Sequence, residues 1–225
     1  VIEFDHVWHQ YGERTVLEDI TAKLTEQRIG IIGGNGSGKS TLARLINGLI
    51  GPSQGTVRID GYDTVKERKH VRSKVGFVFQ DPDQQIVMPT VSEDLEFSLR
   101  GSKLTKEDRG RRVERSLHQY GLESHHDHPA HLLSGGQKQL LAIMAILITE
   151  PEIVVFDEPT TLLDLKNAVA IEEIIYRLDQ QVVVLTHDLE MLQNFDRVIV
   201  LDDGRVVADD VPNIAVKTYR GLVLS

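Results

Sequence analysis

Apolar residues along the chain come in short bursts, many of them β-branched, separated by stretches with helical spacing. The bursts at 1–8 and 16–24 predict two strands, and 28–32 predicts a short buried strand leading into glycine. Over 39–48 a helix is expected, with Leu42, Leu45, Ile46 and Leu49 repeating at helical intervals. Short strands are expected at 56–59 and 75–79. Between 91 and 149 the pattern changes to three helical segments with no convincing strand. It then returns to a strand at 153–156, a helix at 165–178, a strand at 182–185 and a helix at 189–195. A terminal hairpin is predicted from 198–201 and 205–208, turning at Asp203-Gly204, a favoured two-residue turn pair. Alternating strands and helices imply a mainly parallel α/β sheet, with the helical middle as a second lobe.

Composition narrows the class. The 225 residues suit one domain with a sub-lobe, and 40% apolar content suffices for a sizeable core. A net charge of −9 argues against a free-standing nucleic-acid binder, which usually carries a basic footprint. The absence of cysteine excludes a disulfide scaffold, a thiolate metal site and a cysteine nucleophile. The longest apolar run, 140–148, is well short of the ~20 residues of a spanning helix, and no signal peptide opens the sequence. Val1 in place of an initiator Met suggests a trimmed N-terminus. A soluble, intracellular, acidic protein is therefore expected.

The sharpest local signal is Gly33-Gly34-Asn35-Gly36-Ser37-Gly38-Lys39-Ser40, followed by Thr41, which satisfies G-x-x-x-x-G-K-[ST] between a predicted strand and a predicted helix. Four glycines allow backbone N–H groups to converge on phosphate oxygens, and the helix N-terminus adds partial positive charge. Lys39 is expected to reach the β- and γ-phosphates of a nucleotide, and the Ser40 hydroxyl to ligate Mg2+. The strand at 153–156 delivers Asp157 and Glu158 at its C-terminal end, where α/β sheets bind ligands. Asp157 is the expected Mg2+ carboxylate, and Glu158 the general base that polarises an attacking water. Together these features read as a P-loop NTPase with a metal.

Leu133-Ser134-Gly135-Gly136-Gln137 opens the most apolar helix and offers a second helix N-terminus with exposed amides. Ser134 is also a natural N-cap for that helix. One nucleotide loop with two phosphate-recognising helix starts makes sense if two protomers sandwich the nucleotide head to tail.

On these motifs the chain resembles, over essentially its whole length, the ATP-binding subunit of an ATP-binding cassette (ABC) transporter. The resemblance implies an ABC ATPase fold: a RecA-like core at about 1–84 and 150–225, including an antiparallel β subdomain, and an α-helical subdomain at about 85–149. It makes Tyr11, in a loop after the first strand, the adenine-stacking aromatic. Gln80 becomes a Mg2+ contact and sensor of the membrane partner, and His187 the switch histidine on the γ-phosphate. Ser134, Gly135, Gly136 and Gln137 act across the dimer on the partner's nucleotide. The loop after Glu158 keeps Asp164 but reads Thr161-Leu162-Leu163-Asp164, without the family's usual glycine.

The segment 80–85, running into 89–94, is similar to the energy-coupling factor importers of vitamins and transition metals. There a short helix after the glutamine meets the transmembrane protein, and Asp81 and Asp83 are positioned to receive its basic residues. The sequence ends about twenty residues past the Asp203-Gly204 turn, a brevity shared with the ATPases of dedicated biotin importers. The implied partners are a second ATPase copy, a transmembrane coupling protein and a substrate-binding membrane protein, with no nucleic acid. The implied location is peripheral, on the cytoplasmic membrane face. A cobalt or nickel importer, or another ABC importer, is the alternative. DNA-repair and translation ATPases with the same head are disfavoured, because there is no sustained heptad region and one phosphate loop. His125, His126, His128 and His131 invite a metal site, but a solvated loop is the expected reading. The basic stretch 100–115 is likewise expected to be a solvated helix face laced with charge pairs.

Overall fold

The computed structural model describes residues 1–224, which form two compact units. The first comprises 1–77, 152–158 and the chain from 178 onward. In chain order it contains β1 (Ile2–Tyr11), β2 (Arg14–Leu24), β3 (Arg28–Gly33), α1 (Lys39–Ile46), β4 (Gln54–Ile59), β5 (Tyr62–Asp63) and α2 (Arg68–Lys74). β6 (Val75–Val78) follows, then β7 (Ile153–Asp157), β8 (Gln181–Leu185), β9 (Arg197–Asp202), β10 (Arg205–Asp210) and α7 (Pro212–Val223). A four-stranded antiparallel sheet runs in the order β2-β1-β4-β5, and a six-stranded sheet in the order β10-β9-β3-β8-β7-β6. In the larger sheet β3 pairs in parallel with β8 and β9, and β7 with β8, while β10 is antiparallel to β9. Buried on both faces, the central strands read as near-continuous apolar runs, 153–156 and 182–185 among them. A fully buried side chain such as Phe156 contributes roughly 1.5–3 kcal/mol through removal of its surface from water.

The second unit, 78–151 with 159–177, holds α3 (Val91–Ser98), α4 (Lys106–Tyr120), α5 (Gly135–Leu147) and α6 (Leu165–Arg177). Its core joins Val91, Leu95, Val113, Leu117, Leu141 and Met144 across three of those helices. Thr90 and Thr105 cap α3 and α4 by accepting from the amides of Glu93 and Asp108. On α4 Arg111 bridges Glu107 and Asp108 at 2.7 and 2.6 Å, and Arg112 pairs with Glu150, so the basic stretch carries charge pairs on its face. Such exposed pairs each add less than about 1 kcal/mol.

Three local expectations are corrected. Residues 189–194 form successive turns rather than a helix, because Asp188 accepts from Glu190 N and the following bonds close over three residues, as from Phe195 N to Leu192 O. Tyr11 ends β1 rather than lying in a loop after it, because β1 and β2 pair up to Tyr11 and Arg14 across a two-residue turn. The helices α2 and α7 were not anticipated. α2 is polar nearly all round, with Val71 its one buried residue, so it has no apolar period to read. α7 carried a usable signal in Pro212 at its first position and the apolar residues that follow.

A paired irregularity crosses the small sheet. His6 and Asp19 both adopt left-handed φ, of 48° and 50°, at register shifts between β1 and β2, and His6 Nδ1 lies 2.7 Å from Asp19 Oδ1. Inward-facing residues of β1 therefore change parity, from Ile2 and Phe4 to Val7 and His9. Gly55 of β4 lies against this bulge, with φ of 78°, and a Cβ there would fall 2.1 Å from the His6 carbonyl oxygen. Gly55→Ala is therefore expected to lower stability by about 2 kcal/mol or more. Thermal denaturation measures this, and an unchanged melting temperature would mean the bulge yields freely.

Candidate nucleotide site

The phosphate loop joins β3 to α1 in the first unit. Gly36 and Gly38 take φ of 81° and 101°, and Gly38 occupies the cap position of α1 with no side chain capping the helix. With no acidic residue in its first turn, α1 keeps its N-terminal field open for an anion. Close approach explains two of the glycines. A Cβ at Gly33 would lie 2.2 Å from Leu201 O, and one at Gly38 would lie 2.8 Å from Val16 O. The loop is thus wedged between β9 and β2, and Gly204 N further donates to Ser37 O at 3.2 Å.

Lys39 is buried, and its ammonium donates to the carbonyls of Gly33 and Gly34 at 2.8 and 3.1 Å. Burial pushes its pKa down, opposed by the negative charges of Glu158 and Asp157. Ser40 Oγ donates to Asp157 Oδ1 at 3.0 Å, which sets a hydroxyl beside a carboxylate at the end of β7. Ser37 Oγ is buried without a hydrogen-bond partner among the described residues, so its hydroxyl can donate to an anionic oxygen held by the loop. Glu158, next along, takes the left-handed φ of 53°, a strained conformation for a non-glycine residue. Its N–H donates to Leu185 O at 2.9 Å, and its carboxylate Oε1 lies 2.7 Å from His187 Nδ1. Glu158 is nearly buried while His187 is more than half exposed, so the pair links the strand end to the surface. Tyr11, at the tip of the β1–β2 hairpin, is 47% exposed.

Four groups of predicted site residues therefore fall in the first unit: the loop 33–41, the carboxylates, His187 and Tyr11. The others fall in the second. Gln80 is exposed two residues beyond β6. Ser134 caps α5 in a reciprocal box: its Oγ accepts from Gln137 N at 3.3 Å, and Gln137 Oε1 accepts from Ser134 N at 2.9 Å. Asp164 accepts from Asn167 N and Nδ2, both at 2.9 Å, at the start of α6. Asn167 in turn lies so close to Gly136 that a Cβ there would be 2.3 Å from its side-chain carbon. Asn167 thus ties the Gly136 and Asp164 segments, a role no local pattern announced.

Asp81 accepts from Asp83 N at 3.0 Å at the start of the 3-10 turn Pro82–Gln84, and Asp83 is 2.8 Å from Lys138 Nζ of α5. Both carboxylates, expected to await a partner's basic residues, already have partners in their own unit. His126 lies 3.1 Å from Glu114 and 2.7 Å from Asp127, and His125 meets Gln137 at 3.1 Å. No group of three His, Cys, Asp or Glu that could hold a metal occurs among the described residues. No helix among them is long and apolar enough to cross a membrane.

A family model described as ABC transporter matches residues 17–161. The chain belongs to the ABC transporter family. A Bartonella henselae protein with a family-level name, ABC transporter ATP-binding protein, is 52% identical over 97% of this chain and 97% of its own. The biotin transport ATP-binding protein BioM of Rhizobium etli is 45% identical, again over 97% of each chain. The energy-coupling factor transporter ATP-binding protein EcfA1 of Caldanaerobacter subterraneus is 43% identical over 92% of this chain and 77% of its own. Among solved structures, CbiO1 of Clostridium perfringens, part of the ABC transporter complex CbiONQ, superposes with a TM-score of 0.85 at 31% identity, covering 100% of this chain and 94% of that one. The ADP- and phosphate-bound dimer of the cassette MJ0796 gives a TM-score of 0.82 at 32% identity over 94% and 99%.

This ABC ATPase, which hydrolyses ATP to drive transport, has the ABC cassette fold. Its Ser40–Asp157 pair offers hard oxygen donors of the type Mg2+ takes. Asp157 bears a cost for that arrangement. Burial raises its pKa, and the Ser40 hydrogen bond only partly offsets this. The native state therefore holds the Asp157 proton more tightly than the unfolded chain, and stability is lost as pH rises through the raised value. Asp157→Asn removes the ionisation, so the nucleotide-free variant is expected to be more stable than the parent chain at neutral pH. That gain should shrink to nothing below the ordinary carboxylate range, as melting curves over a pH series will show. A gain independent of pH would refute the burial argument.

Proposed function

We propose that this ATPase powers an importer of the energy-coupling factor type, and that the imported molecule is biotin. The observation that carries the catalytic half is the convergence in one unit of the Lys39 loop, the Ser40–Asp157 pair and the Glu158–His187 pair. Lys39 gives up its loop carbonyls to pair with the β- and γ-phosphates, while the loop amides and Ser37 Oγ hold the remaining oxygens. Ser40, Asp157 and Gln80 would hold Mg2+, which neutralises charge on the phosphate oxygens when bound. Glu158 takes a proton from water as that water's oxygen attacks the γ-phosphorus, and the bond to the bridging oxygen breaks with ADP as leaving group. His187 fixes the Glu158 carboxylate and donates toward the γ-phosphate. Tyr11 stacks on the adenine.

The site is completed in trans by a second copy, whose Ser134, Gly135, Gly136 and Gln137 meet the γ-phosphate and whose Asp164 contributes across the interface. The dimer of MJ0796 supports this arrangement. In this reading the whole chain, 1–225, works as one ATPase domain, peripheral to the cytoplasmic membrane face. A transmembrane coupling protein and a substrate-binding membrane protein complete the importer. Similarity to BioM supports biotin as cargo, and similarity to EcfA1 supports the importer type.

Glu158→Gln is expected to retain ATP binding, lose at least about a hundredfold in turnover and accumulate closed dimer, measured by phosphate release and gel filtration. Near-normal turnover would remove Glu158 as the base. Lys39→Ala should instead weaken ATP binding itself. In vesicles reconstituted with the co-purifying membrane subunits, ATP-dependent uptake of biotin is expected, with none of Co2+ or Ni2+. Metal uptake without a biotin response would replace the cargo assignment and leave the ATPase assignment standing.

A further inference from the structure

Tyr11 is exposed at a hairpin tip, where a side chain ordinarily samples several rotamers, yet a stacking platform works only when its ring is already oriented. The brace is His9, two residues earlier on the same strand and therefore on the same face. The two rings meet edge to face, with centroids 4.6 Å apart and planes at 78°. That geometry is the favourable one for a ring pair, and it leaves at least one face of the phenol open. We infer that His9 is a positioning residue for the nucleobase, holding the Tyr11 ring ready for the base. This rests on the reading of Tyr11 as the adenine platform.

His9 can do this because it is itself fixed. The residue is only 7% exposed. Its Nδ1 lies 2.9 Å from the carbonyl oxygen of Gly51, which can only accept, so Nδ1 carries the proton and donates. The ring's other nitrogen, Nε2, is buried with no hydrogen-bond partner among the described residues. With Nε2 unpartnered, the ring serves as a packed wedge rather than as a hub of hydrogen bonds. The strand beneath it is also strapped down. Ser53 N donates to Trp8 O at 2.8 Å, and Gln10 N donates to Ser53 Oγ at 3.0 Å. The segment 51–53 thus grips the strand on both sides of His9. The parity change at His6 is what brings Val7 and His9 inward together and carries Tyr11 onto their face. An orphaned nitrogen in an otherwise packed position is a cost the fold would avoid by placing an aliphatic residue there. An aromatic ring that spans from Gly51 to the phenol explains why an imidazole occupies the site.

The test separates the ring from the hydrogen bond. His9→Gln keeps a donor for Gly51 but has no ring, and His9→Phe keeps a ring but has no donor. Dissociation constants are measured by titration calorimetry for ATP and for inorganic tripolyphosphate, which has no base. His9→Gln is expected to weaken ATP about threefold to tenfold, the range corresponding to one aromatic pair, and to leave tripolyphosphate within about twofold. His9→Phe should stay within about twofold of the parent chain for both ligands. Tyr11→Ala should lose as much for ATP as the double variant with His9→Gln, because the two residues act as one unit. Equal losses for ATP and tripolyphosphate, or an unchanged ATP constant in His9→Gln, overturn the role of His9. So does a His9→Phe variant as weak as His9→Gln, since the hydrogen bond would then be what matters. If Tyr11→Ala binds ATP normally while Lys39→Ala does not, the platform assignment and the inference both fall and the phosphate site stands. If the parent chain binds neither ligand, the nucleotide reading itself fails.

Discussion

Burying the Lys39 ammonium removes water that two loop carbonyls and two nearby carboxylates must replace, and much of the first unit follows from that requirement. The carbonyls of Gly33 and Gly34 can turn onto the ammonium only because the loop is wedged against neighbouring strands. That wedging needs hydrogen in place of a Cβ at Gly33 and Gly38, within 3 Å of backbone oxygens of β9 and β2. The balancing charges sit at the end of β7, where parallel pairing with β8 aligns strand ends beside the loop. The same arrangement that neutralises the lysine without a ligand is one a triphosphate would displace. A charged phosphate oxygen is a stronger acceptor for an ammonium than a neutral carbonyl.

Features set by nearest neighbours in the chain were legible in advance. The phosphate loop, the acidic pair after 153–156 and the helix start at Ser134 each combine a composition, a spacing and a flanking apolar run within about ten residues. The parallel core strands were equally readable, because burial on both faces leaves no polar alternation to confuse them. Positions that depend on distant partners were not. Asp83 and Lys138 are 55 positions apart, so no local pattern announces their pairing. α2, with one buried side chain, has no pattern to find, and the turns at 189–194 depend on Asp188 capping rather than on apolar period.

Family membership sets the chemistry, and a nucleotide site has no reason to differ from one transported molecule to the next. Within the second unit, the Ser134–Gln137 box and the Asp164–Asn167 contacts show helix starts whose side chains are already engaged. Ser134 Oγ caps α5 as an acceptor, a role that leaves a serine hydroxyl able to donate as well.

The matched irregularity at His6 and Asp19 has a consequence for how such hairpins vary over generations. A single-residue insertion or deletion on either side of the bulge would turn Tyr11 to the opposite face while leaving every local preference intact. The length of β1 therefore cannot change by one residue without a compensating change in β2 or β4. The distance from His6 to Tyr11 behaves as a counted interval, so length constrains this hairpin alongside the His9 and Tyr11 side chains.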